Sequence, residues 1–205
     1  MPKITGDARN SILDAAFSLF SEKGFPETSM RDIADAVGVK AASLYNHFSG
    51  KQALFSALIE RETGYVEARL KRAGAMASPD EDPAAYSRLE GEKLGDLVWN
   101  SYLPFFDDER VKKLMRMLAA SRYRDGKCQT LYESVFVERP IAIQSAIFER
   151  LVAEGRFSPC DVKLAAAQFH GPMLMLMERQ IEPSEAKEFC RIHTEAFNAA
   201  HRKEP

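Results

Sequence analysis

Residues 29–51 constrain this chain more than any other stretch, because they read as two short helices hinged at a glycine. Ser29 can cap the first helix, and Asp32, three residues on, can close a capping box with its carboxylate near the positive helix end. Ile33, Ala34 and Val37 then form its apolar face. Gly38 stops it, since a residue without Cβ enters the left-handed conformation that ends helices, and Val39 can plug the angle beyond. From Lys40 a second helix restarts with Leu44 and Phe48 on one face at i, i+4 spacing. Ala41, Ala42, Ser43, Tyr45, Asn46 and His47 point elsewhere, a set of small, hydroxyl, aromatic and amide side chains able to enter a groove and bond phosphates or base edges. That is the layout of a helix-turn-helix.

Upstream, residues 9–24 predict a bracing third helix, with Leu13, Ala16, Phe17 and Phe20 on one stripe and Gly24 as stop. These residues, together with Phe25, Thr28, Ile33, Ala34, Gly38, Leu44, Tyr45, His47, Phe48, Lys51 and Leu54, closely resemble the amino-terminal domain of TetR-family transcriptional regulators over residues 9 to about 58. The resemblance implies an all-α fold of about nine helices. Residues 1–50 would be a three-helix DNA-binding head, and residues 51–205 a helical-bundle body for effector binding and dimerisation. It implies that Thr28, Ser29, Arg31, Tyr45, His47 and Lys51 meet phosphates, with packing against the first helix as the alternative for His47, while Lys40, Ala41, Ala42, Ser43, Tyr45 and Asn46 face the bases. Two positions depart from the family. Lys40 stands where Ser or Thr usually caps the recognition helix, which removes a side-chain cap of about 1 kcal/mol, and Ala42 stands where Gly is frequent. Sequence preference is therefore not transferable from relatives.

Charge sets a condition on that reading. In residues 1–51, Lys3, Arg9, Lys23, Arg31, Lys40 and Lys51 are balanced by Asp7, Asp14, Glu22, Glu27, Asp32 and Asp35. With 28 Lys and Arg against 30 Asp and Glu, the chain's formal net charge is -2. DNA binding then requires cations gathered on one face, and non-specific affinity should be modest and salt-sensitive.

The remaining length, in a chain of 205 residues that is 45% hydrophobic, is enough for a second sizeable core. A long helix is predicted through Leu54, Leu58, Arg61, Tyr65 and Arg69, then a break at 78–83 and a helix from Pro83 through Tyr86, Leu89, Leu94, Leu97, Val98 and Trp99 to Pro104. Asp107-Asp108-Glu109 starts another, carrying Val111, Leu114, Met115 and Leu118 and ending near Gly126. Residues 128–154 divide at Pro140, which lacks an N–H. Two final helices, 161–178 and 184–200, carry wide apolar faces.

Two uses follow for that apolar surplus. Reading two half-sites about 34–36 Å apart takes two heads, so the last two helices are expected to form a homodimer interface that includes Phe189, His193 and Phe197. Trp99, Tyr102, Phe106, Met115, Tyr123, Phe148, Phe169 and Met173 are expected to line a chamber for a small apolar effector. The partners expected are thus a double-stranded DNA operator, an effector and a second copy. The expected role is a repressor released from a palindromic operator by its effector. The alternative is a similar DNA binder controlled by a protein partner, or acting in chromosome organisation.

No apolar run approaches the roughly 18 residues that span a bilayer, and the start lacks a signal peptide's hydrophobic segment, so a cytoplasmic protein is expected. Cys128, Cys160 and Cys190 are far apart and predict reduced thiols without a metal. His47, His170, His193 and His201 are scattered, and no catalytic signature or phosphate-binding glycine loop accompanies them, so neither an enzyme nor a cofactor is expected.

Overall fold

A computed structural model describes residues 6–75 and 92–203, and among these the chain is helical, with one isolated β-bridge between Phe157 and Arg202. Helix α1 (Gly6–Lys23) buries Ile12, Leu13, Ala16, Phe17 and Phe20 and ends at Gly24, whose φ of 91° needs glycine. Helix α2 (Met30–Val37) begins with the predicted capping box, in which Ser29 and Asp32 satisfy each other's backbone N–H groups. It ends at Gly38 with φ 75°, and the Val39 N–H reaches back to the Ala34 carbonyl at 3.0 Å. Helix α3 is shorter than the sequence suggests, Ala41–Tyr45, because the Leu44 carbonyl accepts from both His47 and Phe48 at 2.9 Å and tightens the chain into a turn. Helix α4 runs Lys51–Ala73.

Helices α5 (Glu92–Tyr102), α6 (Pro104–Asp107) and α7 (Glu109–Ser121) follow. The expected break at 78–83 and the helix start carrying Tyr86 and Leu89 lie outside the described residues. Asp108 Oδ1 accepts from the N–H groups of Arg110 and Val111, which explains where α7 begins. Its end differs from expectation. Gly126 does not stop α7 but opens α8 (Gly126–Glu133), because Asp125 accepts from the N–H groups of Lys127 and Cys128 and so acts as a helix start. A π-helical turn, Ser134–Glu138, leads into α9 (Arg139–Ala153), where Pro140 sits in the first turn and needs no donor. Helix α10 (Val162–Arg179) starts at Asp161, whose carboxylate accepts from the Lys163 and Leu164 N–H groups, and α11 spans Pro183–His201. Among the described residues the expected all-helical class is what the structure shows, and α6 and the π-turn are the segments the sequence pattern did not anticipate.

The residues gather into two compact units, one of residues 1–65 and 113–131 and one of 66–112 and 132–205. The first is built on Phe20, Phe25 and Phe55, whose ring centroids lie 4.4 to 5.7 Å apart. Arg61 adds a polar tie there, meeting Asp14 and the almost fully buried Glu62, both at 2.8 Å. In the second, α9 packs along α10 and α11 along α5. Phe148 stacks on Phe197 at 5.1 Å and meets Phe169 edge-on at 6.0 Å.

Asp161→Ala should lower stability by about 1 kcal/mol in urea denaturation, whereas Asp161→Asn, which keeps an acceptor at the cap, should stay close to the parent.

Candidate nucleic-acid interface

Two buried side chains, Leu44 and Phe48, fix how α3 is presented. With these turned inward, Lys40, Ala42, Tyr45 and Asn46 are exposed, while Ala41 and Ser43 are half-buried. Tyr45 is 55% exposed, so both its ring and its hydroxyl are available to a ligand. Lys40 occupies the cap position without a side-chain hydrogen bond to the helix. Its exposed side chain therefore does not cap α3.

The flanking residues divide into exposed and structural ones. Ser29 and Arg31 are exposed at the start of α2. The Asp32 carboxyl lies below its ordinary range because the Ser29 hydroxyl and N–H bond to it. Thr28 is buried, and its hydroxyl donates to the Gly24 carbonyl at 2.9 Å, so its side chain closes the loop after α1. Lys51 is half-buried and acts on the same loop. Its ammonium donates to the carbonyls of Phe25 at 2.7 Å and Pro26 at 3.1 Å, and stands 4.5 Å from the Phe25 ring centroid. His47 is half-buried against Phe48, with a buried Nε2 that has no hydrogen-bond partner among the described residues. The loop-closing role of Lys51 was not readable from its position, because the carbonyls it bonds are 25 and 26 residues away.

The expected chamber residues differ in burial and in the unit they belong to. Trp99, Tyr102, Phe106, Phe148, Phe169 and Met173 are buried in the second unit. Met115 is buried in the first. Tyr123 also belongs to the first unit but is 85% exposed, because it lies in the turn after α7 with no helix covering it. It cannot line an interior chamber there. Sequence reading passed over His170, which is 2% exposed. Its Nε2–H donates to the Phe136 carbonyl at 2.7 Å, which leaves Nδ1 to accept from the Tyr102 hydroxyl at 3.2 Å. The ring is thus held neutral, and burial lowers its pKa below the usual 6.5, partly opposed by the Phe136 bond.

On the last two helices the faces separate by one residue step. Ala186, Cys190, Thr194 and Phe197 point inward, and His193 is half-buried with Nε2–H donating to the Phe169 carbonyl at 2.9 Å. Phe189, Ile192, Ala196 and Ala199 form the exposed stripe of α11, and Leu164, Ala167, Gly171 and Met175 that of α10. Phe197 is therefore a core residue of its own chain, and Ile192, Leu164 and Met175 are outward apolar residues the sequence pattern did not single out. Cys128 and Cys190 are buried, and burial pushes their thiols up to about 12 and about 11, while Cys160 is exposed; all three are free thiols. Among the described residues no group of His, Cys, Asp and Glu is placed to hold a metal, and no helix is long and apolar enough to cross a membrane.

Known proteins resemble this chain in sequence and fold. Residues 12–58 match the model of the tetR family of bacterial regulatory proteins, and residues 96–202 that of the C-terminal domain of AefR-like transcriptional repressors. Among curated relatives, the HTH-type transcriptional repressor Rv1474c of Mycobacterium tuberculosis is 33% identical over 101 residues, covering 44% of this chain and 54% of that one. The chain thus spans about half the length of that relative. Among solved structures, the flavonoid-responsive regulator FrrA superposes with a TM-score of 0.69 at 25% identity, covering 98% of this chain and 100% of FrrA. The triclosan complex of SmeT, the repressor of a Stenotrophomonas maltophilia multidrug efflux pump, gives 0.66 at 21% identity, covering 96% and 92%.

Two expectations follow from the geometry. Lys51→Met should destabilise the DNA-free protein by about 1–2 kcal/mol, read as a lower denaturation midpoint, because two carbonyls lose a charged donor. For His170 the folded-state pKa lies below the unfolded one, so the unfolded chain takes up the proton first. Its contribution is complete above about pH 6.5 and is lost as the pH falls, at up to about 1.4 kcal/mol per unit. Denaturation between pH 7.5 and 5 should show this slope, and His170→Gln should flatten it.

Proposed function

The chain belongs to the TetR family of bacterial transcriptional regulators, and from that premise we propose that it is a homodimeric repressor which a small apolar effector releases from a palindromic operator. The observation that carries the DNA-reading part is the outer face of α3. A helix anchored by Leu44 and Phe48 turns Lys40, Ala42, Tyr45 and Asn46 to solvent, immediately after the Gly38 turn. In this reading residues 1–50 are the DNA-binding domain and 51–205 the effector and dimerisation domain. Residues 40–46 face the bases, and Ser29, Arg31, Tyr45 and the N-terminal end of α4 hold phosphates. The apolar stripes on α10 and α11 support pairing of two copies through those helices, since a second copy would cover Leu164, Met175, Phe189 and Ile192, all at least 36% exposed.

The effector reading draws on the relatives, FrrA being described as flavonoid-responsive and SmeT having been solved with triclosan. In this chain the second unit gathers Trp99, Tyr102, Phe106, Phe148, Phe169 and Met173 as buried apolar side chains, with Tyr102 and His170 as a polar pair among them. An effector that weakens operator binding 100-fold must favour the released state by about 2.7 kcal/mol.

The test is fluorescence anisotropy with the intergenic DNA upstream of the protein's own coding region, at several salt concentrations. The expected result is saturable binding of a dimer, with Tyr45→Ala weakening it roughly tenfold, the loss of about one hydrogen bond to a charged group. Equal binding to scrambled DNA, or an unaffected Tyr45→Ala, would rule the reading out.

A further inference from the structure

Tyr123, which the sequence placed in a chamber, stands in solvent at the centre of the most basic stretch of the first unit. Residues 113–131 carry Lys113, Arg116, Arg122, Arg124 and Lys127 against the single acid Asp125. Residues 1–65, the rest of that unit, carry seven Lys and Arg against eight Asp and Glu. A head that must approach a polyanion is thus close to neutral by itself, and the cations it lacks arrive from a distant part of the sequence.

These side chains do not share one role. Lys113 serves the fold, with its ammonium 3.0 Å from the Ser18 hydroxyl and 4.8 Å from the Phe17 ring centroid. The turn after α7 is different. Arg124 pairs with Glu27 at 3.0 Å across a largely exposed contact, the two side chains being 72% and 46% accessible. Glu27 immediately precedes Thr28 and Ser29 at the start of α2. Lys127 meets the Gln52 side chain at 2.9 Å, one residue beyond Lys51 at the start of α4. The turn therefore lies beside both helix N-termini proposed to meet DNA phosphates. Arg122 is half-buried and its guanidinium lies 4.9 Å from the centroid of the exposed Tyr123 ring, pairing a cation with a phenol at the edge of the turn. Asp125, the only acid in the stretch, is directed to the N-terminus of α8.

We propose that the turn 122–127 is a second DNA-contacting element, in which Arg122, Tyr123, Arg124 and Lys127 engage the phosphodiester backbone flanking the half-site read by α3. This rests on the DNA-binding reading above. Arg124 exchanges Glu27 for a phosphate, a step that is cheap because an exposed ion pair is weak in water. A guanidinium can grip the phosphate through two parallel donors. Backbone contacts of this kind add affinity and salt dependence without adding sequence preference.

The experiment uses the full chain and the shortest duplex it binds after selection from random-sequence DNA, together with the same duplex extended by ten base pairs on each side. Affinity is measured from low to high KCl for the parent, for the triple variant Arg122→Ala, Tyr123→Ala and Arg124→Ala, for Glu27→Gln and for Tyr45→Ala. The triple variant should bind the extended duplex roughly tenfold more weakly, with a salt slope shallower by about two units and the same preferred sequence. Glu27→Gln should tighten binding, because Arg124 loses its competitor. Should the triple variant unfold, Tyr123→Ala alone carries the test, its side chain being exposed. An unchanged slope in the triple variant, or Glu27→Gln weakening binding as the loss of a structural clamp would, overturns the second element while the first reading stands. Failure of the parent to select any duplex, or of Tyr45→Ala to weaken binding, overturns both.

Discussion

Helix α3 is five residues long, and a helix of that length has no stability of its own. Nucleating a helical turn fixes several dihedrals for one hydrogen bond, and isolated helices below about 12 residues are marginal in water. Lys40 supplies no side-chain cap to offset this. What holds α3 is the burial of Leu44 and Phe48, completed by the carbonyl of Leu44 accepting two N–H groups at the far end. The outer face is therefore a property of the scaffold. Leu44 and Phe48 are seated in the same core as Ile33 and Ala34 of α2, Leu13 and Phe17 of α1, and Leu54 of α4. The loop before α2 is in turn closed by Thr28 from within and by the Lys51 ammonium from α4. A change at any of these positions alters what α3 presents before it alters any contact with a ligand.

Signals that act within four residues were readable in the sequence. The capping box at Ser29 and Asp32, the left-handed Gly38 and the division at Pro140 each depend on a side chain and the backbone beside it. Local chemistry decides them, and tertiary packing only confirms the choice. The end of α7 was misjudged because Asp125 and Gly126 form an ambiguous pair. A glycine can stop one helix, but an aspartate just before it can cap the next, and here the cap prevails.

Long-range partners were not readable. Nothing near Tyr123 in sequence says that the turn it occupies lies against Glu27 and Gln52, 97 and 75 residues from its neighbours Arg124 and Lys127. An aromatic residue between two arginines is expected on its ring alone to line an effector chamber, whereas its exposure makes it a surface side chain. His170 illustrates the reverse case. It lies within the apolar run from Leu164 to Met177, and its two ring nitrogens bond one group each, from α5 and from the π-turn. A buried polar group of this kind costs stability if either partner is lost, so it ties three segments to one geometry. The next two residues, Gly171 and Pro172, stay within α10 without ending it, although Pro172 has no N–H to give the Gln168 carbonyl.

The proposed pairing of two copies depends on a distinction that the sequence pattern blurs. A helical stripe containing Phe189, Cys190, His193 and Phe197 merges two faces that lie about 100° apart, one residue step around the helix. The structure separates them. Cys190, Thr194 and Phe197 are buried in the chain's own core, Phe197 against Phe148 and Phe169, whereas Phe189, Ile192, Ala196 and Ala199 repeat at spacings of three and four on the outside. Alternation of three and four is the seam that a partner helix packs against in a bundle, and the two alanines leave room for close approach. Arg191, held by Glu188 and Glu195, places charge beside this seam rather than within it. An apolar stripe bordered by charge favours a defined neighbour over indiscriminate association, because any helix sliding out of register would bury those charges.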